Sequence, residues 1–434
     1  MKILHISFSD NQGGAAIAAL RICKAQRKAG MDARMLVASK RTQHPFVQAD
    51  TSRWKRTETF LKDKIVQKLL RFERTSNPIL HSLNLFPSFL HLAINKSDAD
   101  LVNLHWVGKE MISIEEIAKI RKPIVWTLHD SWAFCGTEHH PDGLEDERFV
   151  NGYTTHPAGI NFNRWTWRRK MAAWRKTRFT IVAPSHWEAG LARKSELMKF
   201  MDVHVIPNPL NTSTFTPWSK LEARRLLDLP ETRKIILFGA LDSDKDKNKG
   251  YAVLQESLKI LAKCYPAQKP LAVLFGSAAP KNMMDVGLPE IYMGKIKDEM
   301  TMARLYAAAD VMVVPSRMEN LPQTATEPLA CGTPVVAFRV GGLPDVIEHR
   351  HNGYLAEPYS PKDLAEGIRW ALEHPDPAGL SALARDRAVE QYDEGKIAAR
   401  YNELYCQMLN ANNTPDNPPT DESQPVNFRT LEFP

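Results

Sequence analysis

The chain of 434 residues is 43% hydrophobic and 25% charged, an ordinary globular composition with length enough for two or three domains. No apolar run approaches the ~18 residues of a membrane span. The five cysteines are scattered and lack a Cys-x-x-Cys pair, which excludes a disulfide framework and a cysteine zinc site and fits a reducing cytoplasm.

In chain order, Met1–Phe8 is too short for a signal-peptide core and reads as a first buried strand, Ile3–Phe8. Gly13-Gly14 follows it, then a helical pattern over Ala15–Ala29 that Gly30 would end. Further strands are expected at Ala33–Ala38, Leu101–His105, Ile124–His129, Phe179–Ala183 and Val203–Ile206. Residues 51–95 carry no strand signal and read as a helical insertion. After Val205–Leu210, with its Pro207-Asn208-Pro209, the strand pattern resumes at Ile235–Phe238, Leu271–Phe275, Val311–Val314 and Val335–Phe338. Strands alternating with helices imply parallel sheets, and two such series imply two Rossmann-like domains with a cleft at the carboxyl ends of the strands. The expected divisions are 1–209, 210–390, a C-terminal helix over 391–409 packing back on the first domain, and a disordered tail over 410–434.

The formal net charge of +7 is uneven. Arg53–Arg74 holds eight Lys/Arg against three acids, interleaved with Trp54, Phe60, Leu61 and Ile65. Arg164–Arg178 holds seven Lys/Arg, no acid and three tryptophans. Basic helices with aromatics can lie on anionic lipid, and the same residues suit a solvated face with its rings packed inward. No nucleic-acid motif accompanies the charge, so nucleic acid is not an expected partner.

Several residues stand where a cleft would be. Gly13-Gly14 permits close approach of a ligand to a helix start, and equally suits a plain tight turn. His129 ends a strand and is followed by Asp130, Ser131 and Trp132; His105 is placed in the same way after Leu101–Leu104. Glu138-His139-His140-Pro141-Asp142 invites a metal, but a polar loop is the preferred reading, as a solvated loop is for Asp242-Ser243-Asp244. Lys249-Gly250 follows Ile235–Phe238, where a lysine can reach a phosphate as a point charge. Glu319 and Glu327 are separated by seven residues, with Pro322 set to open a helix that Gly332 and Pro334 would stop. A helix start facing the carboxyl end of a sheet suits pyrophosphate, with carboxylates on either side to take hydroxyls.

The segment Pro315-Ser316-Arg317-Met318-Glu319 through Glu327-Pro328-Leu329-Ala330-Cys331-Gly332-Thr333-Pro334-Val335-Val336 resembles the paired-glutamate motif of retaining glycosyltransferases of family 4, group 1. The resemblance extends through Gly341-Gly342-Leu343-Pro344-Asp345 and His351-Asn352-Gly353, and Trp126-Thr127-Leu128-His129-Asp130-Ser131-Trp132 resembles the Thr-Leu-His-Asp-x-Trp signature of some members. It implies the GT-B fold, a UDP- or GDP-sugar donor and no metal or other cofactor. It places Gly13, Gly14, Lys249, Ile296, Asn320, Leu321 and Glu327 at the donor, with Glu327 on the ribose. His129 and Glu319 fall beside the transferred sugar as catalytic residues, and the Gly294-Lys295-Ile296 backbone lies at the base. Two departures stand out: Asn248 lies nearest the place where the family usually has an arginine, with Lys247 as its only nearby substitute, and proline follows Glu327, removing a backbone donor inside the helix.

The expected activity is transfer of a sugar, with retention, to a hydroxyl of a cell-surface polysaccharide or lipopolysaccharide precursor, its acceptor a glycan or lipid-linked glycan. The protein would be cytoplasmic, or peripheral on an anionic membrane surface. A nucleotide-sugar epimerase and a non-catalytic nucleotide-sugar-binding protein are the alternatives.

Overall fold

The computed structural model describes residues 1–49, 53–73, 75, 77, 79–154, 159–239, 247–276 and 285–413. Seven strands form a first sheet: β1 (Lys2–Ser9), β2 (Asp32–Ser39), β3 (Val47–Ala49), β4 (Leu101–Leu104), β5 (Ile124–Thr127), β6 (Thr180–Ala183) and β7 (Asp202–Val205). Their order is β3-β2-β1-β4-β5-β6-β7, all parallel. Six more form a second: β8 (Ile235–Gly239), β9 (Leu271–Phe275), β10 (Glu290–Tyr292), β11 (Val311–Val314), β12 (Val335–Phe338) and β13 (Gly353–Ala356), ordered β10-β9-β8-β11-β12-β13 and again parallel. Val311-Met312-Val313-Val314 and Val335-Val336-Ala337-Phe338 are buried throughout, as central parallel strands covered by helices on both faces must be.

The helices before the second sheet are α1 (Gly14–Lys28), α2 (Arg53–Leu70), α3 (Leu90–Lys96), α4 (Ile114–Ile117), α5 (Phe162–Trp174), α6 (His186–Lys194) and α7 (Lys220–Leu226). Those that follow are α8 (Tyr251–Ala262), α9 (Glu299–Ala308), α10 (Gln323–Ala330), α11 (Leu343–Val346), α12 (Pro361–Leu372), α13 (Pro377–Tyr392) and α14 (Glu394–Asn413). Helix α1 runs as its sequence demands: Gly13 precedes it at φ +89, and Gly30 just beyond its end takes φ +86, a left-handed conformation that costs glycine little.

The chain crosses between the two halves twice, side by side. Leu210 donates its N–H to the Tyr392 carbonyl at 2.7 Å, and Glu394 N–H returns to the Leu210 carbonyl at 3.1 Å. Helix α14 then lies on the first sheet, where Ile397, Tyr401, Leu404 and Tyr405 share a core with Ile3, Ala19, Cys23 and Val125. Each such side chain contributes about 1.5–3 kcal/mol on burial, so the last helix fastens the halves together.

Several elements differ from the sequence reading. Strand β5 stops at Thr127, leaving Leu128 and His129 in the loop that faces the cleft. Pro322 stands just outside α10, at the position before its first turn, and supplies no side-chain cap. Helix α5 turns two of its three tryptophans inward: Trp174 is buried and Trp167 packs on the first core, while Trp165 is 42% exposed under the Arg169 guanidinium, and the buried Lys170 side chain donates to the carbonyls of Trp132, Cys135 and Gly136. Its Arg169 pairs with Glu115. The inward-packing reading therefore holds for Trp167 and Trp174 and fails for Trp165. Helix α2 is different, with Phe60, Leu61 and Ile65 exposed. The Asp242-Ser243-Asp244 loop, the Lys247 side chain and residues 414–434 of the expected tail lie outside the described residues. Among the described residues no helix is long and apolar enough to cross a membrane.

Candidate active site

The carboxyl ends of both sheets face each other, and the loops there carry the predicted residues. Glu319 lies between β11 and α10, and its main chain is gripped from the loop after β12. Gly342 N–H donates to the Glu319 carbonyl at 2.9 Å, and Gly341, at φ +55, leaves room that a Cβ would fill only 1.9 Å from that same oxygen. Lys249 lies between β8 and α8. Gly250 behind it has φ +68, and a Cβ there would sit 1.9 Å from the Pro315 carbonyl oxygen, so glycine lets the two loops touch. Asn248 ties them further: its side-chain amide donates to the Met318 carbonyl at 2.9 Å, and its own carbonyl accepts from Arg317 N–H at 2.8 Å. The residue at the arginine's expected place thus acts as a strut between loops. The result is a Lys249 Nζ to Glu319 Oε1 distance of 2.7 Å.

Asn320 carries the site across the cleft. Its amide nitrogen reaches the carbonyls of Leu128 and His129 at 3.3 and 3.4 Å, and its amide oxygen accepts from Ser185 Oγ at 2.7 Å. His129 is consequently held within one residue of Glu319 although 190 positions separate them in sequence. Gly14, at the start of α1, offers its carbonyl to Gln323 Nε2 at 3.0 Å, so the Gly13-Gly14 turn and the start of α10 adjoin. Helix α10 has no acidic residue in its first turn and no side-chain cap; its start keeps the positive end of the helix dipole available to an anion.

Glu327 sits inside α10 directly before Pro328, and the helix accommodates that proline without ending. Its carboxylate is buried, with Oε1 2.8 Å from Arg21 Nη2 and Oε2 accepting from Tyr306 Oη at 2.9 Å. Burial pushes its pKa up, against the pull of Arg21. Leu321 is buried in the second core, whereas Ile296 is half-buried at its edge and Gly294 accepts from Gly276 N–H at 2.7 Å. His105 does not face the cleft; it is buried between His5 and His129. Glu138 is spent on Arg148 and Tyr153, and His139 on Asp130 and Ser82. Among the described residues no group of three His, Cys, Asp or Glu could hold a metal ion. Arg21, Ser185, Gln323 and Tyr306 escape the sequence reading, since each is an unremarkable residue within a helix or at a cap.

Two Rossmann-like parallel-sheet domains meeting at such a cleft define the GT-B class. Residues 12–214 match the Glycosyltransferase Family 4 model and residues 220–388 the model of Glycosyl transferases group 1, so the chain carries both of these glycosyltransferase domains. Among curated proteins it is similar to the D-inositol 3-phosphate glycosyltransferase of Thermobispora bispora, 29% identical over 48% of this chain and 51% of that one. A second similar protein is its namesake from Mycolicibacterium vanbaalenii, 32% identical over 43% and 44%. The chain spans about half the length of the curated relatives it matches. Among solved structures, sucrose-phosphate synthase from Thermosynechococcus elongatus superposes with a TM-score of 0.64 at 20% identity, covering 95% of this chain and 100% of the other. Anabaena HepE in complex with UDP and glucose gives 0.64 at 18% identity, covering 94% and 100%. These likenesses carry the fold.

Proposed function

We propose that this chain is a retaining, metal-independent glycosyltransferase. It takes a sugar from a UDP- or GDP-sugar and passes it to a hydroxyl of a glycan or lipid-linked glycan in polysaccharide or lipopolysaccharide biosynthesis. The observation that carries the reading is the juxtaposition of Lys249 and Glu319 at 2.7 Å beside the uncapped start of α10, facing the His129 carbonyl held by Asn320. The domain matches support the transferase class, and the HepE complex supports a uridine nucleotide as a donor to try.

In this reading the diphosphate lies against Lys249 and the starts of α10 and α1. Cation and helix ends are fixed before the reaction, so they stabilise charge as it develops on the leaving diphosphate without reorganising. Glu319 exchanges Lys249 for sugar hydroxyls when donor arrives, and Glu327 takes the ribose hydroxyls. His129 borders the ring, and Gly13-Gly14 borders the phosphates. The incoming hydroxyl attacks from the face the diphosphate leaves, and that diphosphate takes its proton.

The test is nucleotide release from a panel of UDP-, GDP-, ADP- and dTDP-sugars in EDTA, with and without a cell-envelope glycan fraction. Release from one donor, increased by the glycan and giving product with unchanged anomeric configuration, is expected. Release indifferent to the glycan, with free epimerised sugar, would replace transfer by epimerisation. Binding without release would reduce the protein to a nucleotide-sugar sensor.

A further inference from the structure

Beneath His129 lies a polar array that the proposed reaction does not use directly. His5 on β1, His105 just after β4 and His129 just after β5 stand on three neighbouring strands. His5 is level with Asn103, and Leu104 is level with Trp126. Each histidine is therefore two residues nearer the carboxyl end than the one before. Since side chains alternate with period two, all three share one face of the sheet and climb diagonally toward the cleft. Their rings stack with centroids 5.2 Å apart and planes 19° apart at both steps. His5 and His105 are fully buried, as are Gln26, Asn103, Tyr401 and Tyr405 around them.

The hydrogen bonds run in one direction. Gln26 on α1 donates its amide nitrogen to Tyr405 Oη at 3.1 Å, which leaves its oxygen to accept from His5 Nε2 at 2.8 Å. Asn103 is oriented likewise: its oxygen takes the Thr127 hydroxyl at 3.0 Å while its nitrogen donates to Tyr405 at 2.8 Å. A neutral imidazole has one donor and one acceptor. With Nε2–H of His5 committed to Gln26, its Nδ1 accepts from His105 Nε2–H at 2.8 Å, and His105 Nδ1 accepts from His129 Nε2–H at 3.0 Å. Burial pushes His5 and His129 down to about 4 and His105 down as well, so the array is neutral at pH 7. His129 Nδ1 ends the series and has no hydrogen-bond partner among the described residues.

We propose that Gln26, His5 and His105 are positioning residues that fix His129 as its Nε2–H tautomer, so that an unprotonated Nδ1 is offered to the donor as a hydrogen-bond acceptor for a sugar hydroxyl. This rests on the placement of His129 at the donor sugar. It also gives α14 a part in the site, because Tyr405 sets the Gln26 amide from the far end of the chain.

The test is two-bond 1H–15N correlation NMR of the full chain labelled at its histidines, at pH 7, with His129 and His105 assigned by loss of signal in His129→Asn and His105→Asn. The native protein should show a single Nε2–H tautomer at His129. Gln26→Leu, which removes the acceptor, should populate both tautomers. Gln26→Glu should restore the single one, because a carboxylate still accepts from His5 while the Tyr405 hydroxyl turns to donate. A native His129 in the Nδ1–H form or in a mixture overturns the proposal by itself, even where Gln26→Leu does not fold. So does a folded Gln26→Leu whose His129 spectrum is unchanged. The donor-site reading fails separately, by undiminished nucleotide release in His129→Ala, and that failure leaves the tautomer result standing.

Discussion

Arg21 and Glu327, on helices of opposite domains, form an ion pair at 2.8 Å, with only 13% and 7% of their side chains exposed. The same guanidinium reaches Glu299 at 2.9 Å and lies over the Phe215 ring, 5.2 Å from its centroid. In the proposed reading the carboxylate that takes the donor ribose also latches the cleft, so closure and donor recognition would compete for the same oxygens. Removing one partner of a buried pair leaves the other charged and desolvated, at a cost of about 3–5 kcal/mol. Glu299 is half-exposed, so Arg21→Met should cost nearer the lower bound. The expected outcome is a lowered melting temperature together with a larger radius of gyration by small-angle scattering. An unchanged radius would show that the latch does not hold the domains together.

Glu319 and Lys249 should behave as a coupled pair. Glu319→Ala is expected to lower turnover by about a hundredfold, the loss of a transition-state contact worth ~3 kcal/mol. Lys249→Ala removes the point charge proposed to meet the diphosphate and should lower turnover similarly. Because the two touch at 2.7 Å, the double variant should lose distinctly less than the product of the single losses. Near-normal turnover in Glu319→Ala would remove that residue from the site.

The strands were legible where they are buried on both faces, because a run such as Val311–Val314 has no polar face to disguise it. β3 and β10 are short edge strands with polar residues among them, and β13 opens on Gly353, so none of these leaves an apolar run to read. Glu319 and Lys249 were legible because loop chemistry beside a strand end has a local signature. Arg21 was not, because its role exists only once α10 from the other domain arrives; along the chain it is one cation on an alanine-rich helix. His105 was misplaced toward the cleft because a sequence gives the strand end but not the register, and the register sets it two residues below His129.

Glu188 on α6 makes stability depend on pH in a direction opposite to most carboxylates. It is fully buried, and among the described residues its Oε1 has no partner and its Oε2 meets only Ser131 Oγ at 3.4 Å. Burial first, and then the charge of Asp130, push it up to about 8 from 4.5. The native state therefore binds the extra proton between those values, and stability falls as pH rises through that window, by at most about 1.4 kcal/mol per unit. Glu188→Gln keeps the shape and cannot ionise. Its urea midpoint should be near the native one at pH 5 and clearly above it at pH 8.5. An equal offset at both pH values would mean that Glu188 is not protonated in the fold.

With Trp167 and Trp174 of α5 turned inward and Trp165 left exposed there, α2 offers the larger apolar face to an anionic membrane surface. There Phe60, Leu61 and Ile65 are 59%, 55% and 48% exposed, while Val66 is buried. Lys64, Lys68 and Arg71 are exposed along the same stretch. Each cation near an anionic surface contributes about 1 kcal/mol, and apolar side chains add area once inserted. The protein should float with phosphatidylserine vesicles at low salt and detach as salt rises, since the charges are solvent-screened. Reversing Lys64, Lys68 and Arg71 to glutamate should abolish flotation, whereas reversing Arg175 beyond the end of α5 should not. If the native protein fails to float at low salt, the exposed apolar face of α2 serves something other than lipid, and the acceptor need not be presented at a membrane.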